Sequence, residues 1–186
     1  NDANDGSSGS PVLTINHAIS IVPTGGTVYV SAGTYAENIT LNKDITLSGA
    51  QAGVDARGRS ASESIIAPVS GIGITLVTGS AGATIDGFTI TGGTRGVESS
   101  SGPLNGLTIQ NNRIVSFTSA GIFLNDTGTD VTINQNDIDA SLQSGSGGVI
   151  HLDTDGFDGM WITNNHVTHS ASGTGLFSDG NHNVGV

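Results

Sequence analysis

Apolar residues return at a fixed interval along most of this chain, and the segment Leu107 to Asp126, LTIQNNRIVSFTSAGIFLND, shows the unit most completely. One set of apolar positions is separated by 24, 24, 29 and 24 residues, at Ile85, Ile109, Ile133, Ile162 and Val186. A second set lies five positions further on, at Ile90, Ile114, Ile138 and Val167. A period of this size indicates a structural repeat whose copies bury their apolar faces against one another.

Alternation within the repeat predicts short strands. Leu107 and Ile109 face inward while Thr108 and Gln110 face outward, and the chain bends at Asn111-Asn112 before Ile114 turns inward again. Three such strands make one coil, and each stacks in parallel on its copy about 4.8 Å away. Asparagine recurs at the bend, as Asn112, Asn136 and Asn165 after Phe88 in the first copy. Because asparagine tolerates a left-handed backbone and its amides can bond in a stack, we interpret this position as a structural ladder.

Glycine marks a third recurrent position. Four glycines each precede an apolar residue, at Gly96, Gly121, Gly148 and Gly175. Aligning them directs Ile122 inward and places Phe123, Ile150 and Phe177 outward on three successive coils, beside Glu98. A continuous apolar strip on a solenoid face is typical of a surface that a loop or a partner covers. The same kind of alternation places Trp161 outward with Thr84, Thr108 and Thr132, where its ring could stack on a sugar.

The two ends differ from the repeats. Residues 1–10 have the composition of a flexible linker, and residues 11–186 form the single predicted domain. Thr14 is a predicted N-cap for a short helix with one apolar face, which Pro23 ends, and we expect this helix to cover the first coil. Residues 50–63 interrupt the pattern as an inserted loop. Val184 to Val186 aligns with Val131 to Ile133, which predicts the start of another coil without a cap, open to a neighbouring domain or subunit.

Composition limits the possible functions. The net charge is −11, and residues 114–186 contain eight acids with no Lys or Arg, so nucleic-acid binding is not expected. No apolar run approaches the roughly 20 residues of a membrane helix, which predicts no membrane insertion. The chain has no Cys and therefore no thiolate chemistry, a composition common in secreted bacterial surface proteins.

The repeats resemble the right-handed parallel β-helix of the pectate-lyase-like superfamily, and residues 14–49 are similar to the N-terminal cap and first coil of many members. The resemblance implies an all-β, right-handed parallel β-helix of about six coils with a short N-terminal capping α-helix. It does not imply one function, because the superfamily includes lyases, hydrolases, esterases, tailspikes and adhesins. Gly33 to Glu37, GTYAE, resembles a pectin methylesterase segment, but the paired aspartates of that family have no counterpart here, and polygalacturonase motifs are absent as well.

One outward column is a candidate catalytic set. The repeat alignment brings Thr89, Arg113, Asp137 and His166 together, one strand spacing apart. A polysaccharide lyase needs a base beside a uronate carboxylate, and Arg113 near Asp137 and His166 meets that need. The alternative is a surface ladder of charged residues that contributes little.

An aspartate-rich segment is the candidate metal site. His151 to Gly159 alternates Asp with Gly, and Asp153, Asp155 and Asp158 could supply oxygen ligands to Ca²⁺. The alternative is an Asp/Gly turn required by the backbone alone.

These observations favour a non-catalytic, secreted or cell-surface, bacterial β-helix module. It would serve as a rigid scaffold or adhesin-like stalk and bind a polysaccharide or surface glycan through Trp161, Phe123 or Phe177. One alternative is a Ca²⁺-dependent pectate-type polysaccharide lyase. The other is a filament subunit that assembles end to end.

Overall fold

The computed structural model describes residues 1–144, 148–153, 156–169, 174–178 and 184–185. Three parallel sheets run side by side along a solenoid, and each coil contributes one strand to each of them. The predicted all-β parallel β-helix with a short helix near the N-terminus is confirmed.

The helix and strands have the following bounds. The helix α1 is Ile15–Ile21. The seven-stranded first sheet contains β1 (Thr27–Tyr29), β4 (Thr46–Ser48), β7 (Thr84–Asp86), β10 (Thr108–Gln110), β14 (Thr132–Asn134), β18 (Met160–Thr163) and β21 (Val184–Gly185). The six-stranded second sheet contains β2 (Gly33–Tyr35), β5 (Ser64–Ile66), β8 (Phe88–Thr91), β11 (Arg113–Val115), β15 (Asp137–Ala140) and β19 (His166–His169). The six-stranded third sheet contains β3 (Ile39–Leu41), β6 (Ile72–Leu76), β9 (Arg95–Ser99), β12 (Ala120–Leu124), β16 (Gly148–Leu152) and β20 (Thr174–Ser178). A separate two-stranded sheet pairs β13 (Gly128–Thr129) with β17 (Phe157–Asp158).

The core is a stack of aliphatic layers inside the three sheets. Each inward position stacks on its counterpart in the next coil, which in the first sheet gives the buried column Val28, Leu47, Ile85, Ile109, Ile133 and Ile162. The predicted alignment of Ile85, Ile109, Ile133 and Ile162 is therefore confirmed, as is that of Ile90, Ile114, Ile138 and Val167.

The helix α1 covers the first coil. Ile15 and Ile19 are buried against it, and Thr14 caps the helix by accepting the N–H of His17 at 3.3 Å, as predicted. At the other end of α1, Lys43 Nζ donates to the carbonyl oxygens of Ile19, Ser20 and Val22. Residues 1–10, predicted as a linker, lie in turns before this helix, where Asp2 accepts the N–H groups of Leu13 and Thr14.

The bend between the first and second sheets contains the asparagine ladder. Its geometry corrects one detail, because the left-handed backbone belongs to the residue before the ladder position. Asn111, Gln135 and Asn164 have φ of 54°, 54° and 56°. The two residues of the bend therefore have separate roles. The first turns the chain with its left-handed backbone, and the second points its side-chain amide inward, where it hydrogen-bonds to the equivalent asparagine of the next coil.

Residues 50–63, predicted as an inserted loop, form a strap along this bend. The N–H of Gly53 donates to Asp86 Oδ1 at 3.0 Å, and the N–H of Ala56 donates to the carbonyl of Gln135 at 3.4 Å. The strap follows β4 in the chain and extends as far as the bend before β15. It therefore forms hydrogen bonds between coils that are not adjacent in the stack.

The predicted alignment of the third sheet at residues 148–150 is wrong by one residue. Ile122 pairs with Ile150 rather than with Val149, and Ile150 is buried in the core. His151 therefore takes the outward position beside Phe123. This difference lies within the longer repeat interval. Gly147 and Gly148 have no side chains, so the sequence there does not indicate which residue faces inward.

Candidate functional site

The outer face of the first sheet presents an exposed tryptophan at the end of a column of threonines. We name the threonine column from its five members: Thr27, Thr46, Thr84, Thr108 and Thr132. Trp161 continues this column in register with Thr132, as the alternation predicted, and 56% of its surface is exposed. An indole held on a sheet and open to solvent offers a flat apolar surface with one hydrogen-bond donor.

The strap borders this face on one side. Asp86 lies at that edge, where it accepts the N–H of Gly53 at 3.0 Å, Gln110 Nε2 at 3.0 Å and Asn111 Nδ2 at 2.8 Å. The bond from Gly53 joins the strap to the end of β7, and the other two join Asp86 to the next coil.

A second aromatic residue stands on the same face. Tyr29 lies two residues after Thr27 on β1, so both point outward, and Tyr29 is 83% exposed. Tyr29 is not among the residues predicted to bind a ligand, although the inward direction of Val28 and Val30 implies that it faces solvent.

The candidate catalytic column forms as predicted in the second sheet. Thr89, Arg113, Asp137 and His166 occupy the same position on four successive strands. His166 Nδ1 lies 2.7 Å from Asp137 Oδ1, which orients the ring. Arg113 is exposed and forms no ion pair with any described residue, although Asp137 is its neighbour in register.

Phe123 is not the exposed ligand residue that the sequence predicted. It points outward, but only 6% of its surface is exposed because the guanidinium of Arg95 lies 3.8 Å from the ring centroid. The ring of His151 packs edge-on against Phe123 with centroids 4.8 Å apart. Arg95 in turn pairs with Glu98 at 2.8 Å. Phe177 lies in register with His151, and its side chain is outside the described part of the structure.

The aspartate-rich segment is described only in part. Asp153 and Asp158 are exposed, and Asp155 lies outside the described residues. Asp153 Oδ1 lies 3.7 Å from His151 Nε2. Among the residues that the structure describes, no three His, Asp or Glu side chains converge as metal ligands. The Ca²⁺ hypothesis therefore stays a prediction.

The family model that matches the chain is described as "Protein of unknown function (DUF1565)" and covers residues 1–184. The chain belongs to the DUF1565 family. This family is of the right-handed β-helix type, in agreement with the sheets described above. Neither a curated protein nor a solved structure matches the chain significantly.

For this DUF1565 chain, the sequence identified two of the surface features and missed two others. The repeats located the column of Arg113, Asp137 and His166 and the outward direction of Trp161. They did not reveal that Arg95 covers Phe123, because that contact joins side chains of different coils. The signal for Tyr29 was present in the alternation. Within the described residues, no helix is long and apolar enough to cross a membrane.

Proposed function

We propose that this protein is a secreted or cell-surface β-helix module that binds polysaccharide on the outer face of its first sheet, without a catalytic step at that face. The observation that carries this proposal is the exposure of Trp161 on a flat, rigid sheet. Burying such a ring against a sugar is favourable, because the apolar face of the sugar replaces water on the apolar face of the indole.

The surroundings of Trp161 support a role in binding rather than in packing. The outward residues beside Trp161 are Thr132, Asn134 and Thr163. Their hydroxyl and amide groups are of the kind that hydrogen-bonds to sugar hydroxyls. The solenoid behind them is a continuous aliphatic core, so the face is already formed before a ligand arrives. A preformed surface loses little conformational entropy on binding.

Affinity electrophoresis through gels that contain different polysaccharides tests the proposal. We expect at least one polysaccharide to retard the wild-type protein, and Trp161→Ala to weaken this binding by about tenfold, the worth of one aromatic contact. Val69→Ala is the matched control, since Val69 is an exposed apolar residue elsewhere on the surface. Equal retardation of the wild type and Trp161→Ala would refute this function.

A second candidate function follows from the hydrogen bond between Asp137 and His166. An imidazole oriented by a carboxylate can accept a proton, and the adjacent Arg113 can neutralise a uronate carboxylate, which together suit a polysaccharide lyase. New absorbance from unsaturated product, tested on uronate polymers with and without chelator, measures this activity. Loss of such a signal in Arg113→Ala would support the lyase, and the absence of any signal in the wild type would exclude it for those polymers.

A further inference from the structure

The first sheet carries two exposed aromatic residues, Tyr29 and Trp161, and the distance between them indicates the shape and length of a ligand that could contact both. We propose that the first sheet binds a neutral, linear polysaccharide extended along the solenoid axis, with Trp161 and Tyr29 as its two aromatic contacts. This inference rests on the proposed polysaccharide-binding function, and it adds the class, the direction and the minimum length of the ligand.

The register of the strands sets the distance between the two contacts. The threonine column begins at Thr27, two residues before Tyr29 on β1, and passes through β4, β7, β10 and β14 before Trp161 continues it on β18. Five strand spacings of about 4.8 Å separate β1 from β18, which is about 24 Å along the axis. A ligand that touches both rings must therefore be extended and must run across the strands.

Between the two rings, the outer face of the first sheet carries a repeated set of hydrogen-bonding groups. In the described part of the chain, the threonine hydroxyls of this column make no hydrogen bond to protein, and each side chain is partly exposed. A parallel column two residues along each strand consists of Ser48, Asp86, Gln110, Asn134 and Thr163, in which Gln110 donates to Asp86 and Thr163 donates to Asn134, so the threonine column supplies the free hydroxyls. A strand spacing is close to the length of one sugar unit in an extended chain, so successive sugars would meet equivalent groups.

The charge of the face selects a neutral chain. The strands of the first sheet contain no Lys or Arg, and the carboxylate of Asp86, at the strap end of β7, is buried and already accepts three hydrogen bonds. Asp44, Asp130 and Asp158 are exposed along the margin opposite the strap. Carboxylates can accept hydrogen bonds from sugar hydroxyls, but they repel the carboxylates of a polyuronate.

Oligosaccharide length and the two aromatic substitutions together test this inference. Isothermal titration would use neutral β-linked oligosaccharides of up to about eight units, together with a polyuronate of similar length. We expect affinity to rise until the ligand has about six units and then to level off, because only such a chain spans both rings. For a long ligand, Tyr29→Ala and Trp161→Ala should each weaken binding by about tenfold. For a ligand of about three units, which cannot reach both rings, the double variant should lose no more affinity than the weaker-binding of the two single variants.

The outcomes separate this inference from the function on which it rests. If Trp161→Ala weakens binding of a long ligand and Tyr29→Ala does not, the axial arrangement is wrong while polysaccharide binding stands. Tighter binding of the polyuronate than of the neutral chain would overturn the charge argument. If the wild type binds none of these ligands and no polysaccharide in the gels, both proposals fail. Tyr29 and Trp161 are exposed, so unchanged denaturation curves should confirm that each variant is folded.

Discussion

Asn136 Oδ1 accepts two hydrogen bonds from Asn112, one from its main-chain N–H at 2.9 Å and one from its side-chain Nδ2 at 3.2 Å. Both asparagines are buried, and the same pattern joins Asn136 to Asn165 in the next coil. Each Nδ2 also donates to a main-chain carbonyl, that of Ile85 for Asn112 and that of Ile109 for Asn136. The ladder thus satisfies polar groups that the bend would otherwise leave buried and unpaired.

The ladder predicts a large effect of Asn136→Ala. This substitution leaves donors of Asn112 and the carbonyl of Ile109 without partners in the core, so we expect the free energy of unfolding to fall by about 3 kcal/mol. Urea denaturation followed by circular dichroism measures it. Asn105→Ala is the control, because the side chain of exposed Asn105 accepts one hydrogen bond, from the N–H of Thr129, and its loss should cost little. Equal destabilisation by the two variants would contradict the ladder's role.

The strap contains two arginines that should differ sharply. The side chain of Arg59 is only 2% exposed; it pairs with Glu63 and donates to the carbonyls of Phe88 and Asn111. Removing one member of a buried ion pair is costly, and we expect Arg59→Ala to reduce the free energy of unfolding by about 3 kcal/mol or more. Arg57 lies two residues away but is exposed, and Asp55 is its one ion-pair partner among the described residues, so Arg57→Ala should change stability little. Denaturation curves of both variants provide the comparison.

Phe123 and Trp161 should have opposite phenotypes. Because Phe123 is packed under Arg95 and against His151, Phe123→Ala should lower the free energy of unfolding by about 3 kcal/mol through loss of packing. It should leave polysaccharide binding of the folded protein unchanged. Trp161→Ala should do the reverse. Paired denaturation and binding measurements on both variants check this, and weaker binding by folded Phe123→Ala would show that the third sheet also contacts the ligand.

The calcium hypothesis makes a prediction that does not require any activity. If Asp153, Asp155 and Asp158 bind Ca²⁺, millimolar calcium should raise the melting temperature, since a ligand of the folded state stabilises it. Asp155→Ala should abolish this shift, whereas Asp44→Ala, which removes an exposed acid on a distant coil, should retain it. Calorimetry with calcium and with magnesium measures the effect. The absence of a shift in the wild type would remove the site.

Asp2 gives the N-terminal turns a pH dependence. Hydrogen bonds from Thr14 and Leu13 lower the pKa of Asp2 below its ordinary value. A group whose pKa is lower in the folded state stabilises that state above its unfolded pKa and loses this effect as the pH falls through the folded value. We expect the protection of the N–H groups of Leu13 and Thr14, measured relative to the intrinsic exchange rate at each pH, to fall at acid pH and, in Asp2→Asn, at neutral pH as well. Hydrogen exchange followed by NMR measures both, and unchanged exchange in the variant would contradict this role of Asp2.

Much of the architecture was readable from the repeat. Repeats with a period of 24 residues bury their apolar faces by stacking equivalent positions on one another. This stacking places Ile109 on Ile85 and Asp137 on Arg113, and it can be derived from the sequence alone. The helix after Thr14 followed from local capping chemistry in the same way. Where the interval lengthened to 29 residues and glycines replaced side chains, the period carried no information, and the alignment at Ile150 was wrong.

The sequence by itself determined the coils, the asparagine ladder and the outward direction of Trp161, because these depend on local alternation and on the regular stacking of repeats. Only the tertiary structure decided which outward residues remain exposed. Arg95 covers Phe123, and Arg59 anchors the strap to carbonyls of two other coils. Such contacts join side chains distant in sequence, so no local pattern reports them. Of the aromatic residues predicted to bind a ligand, Trp161 keeps an open face because no described side chain lies over it in this way.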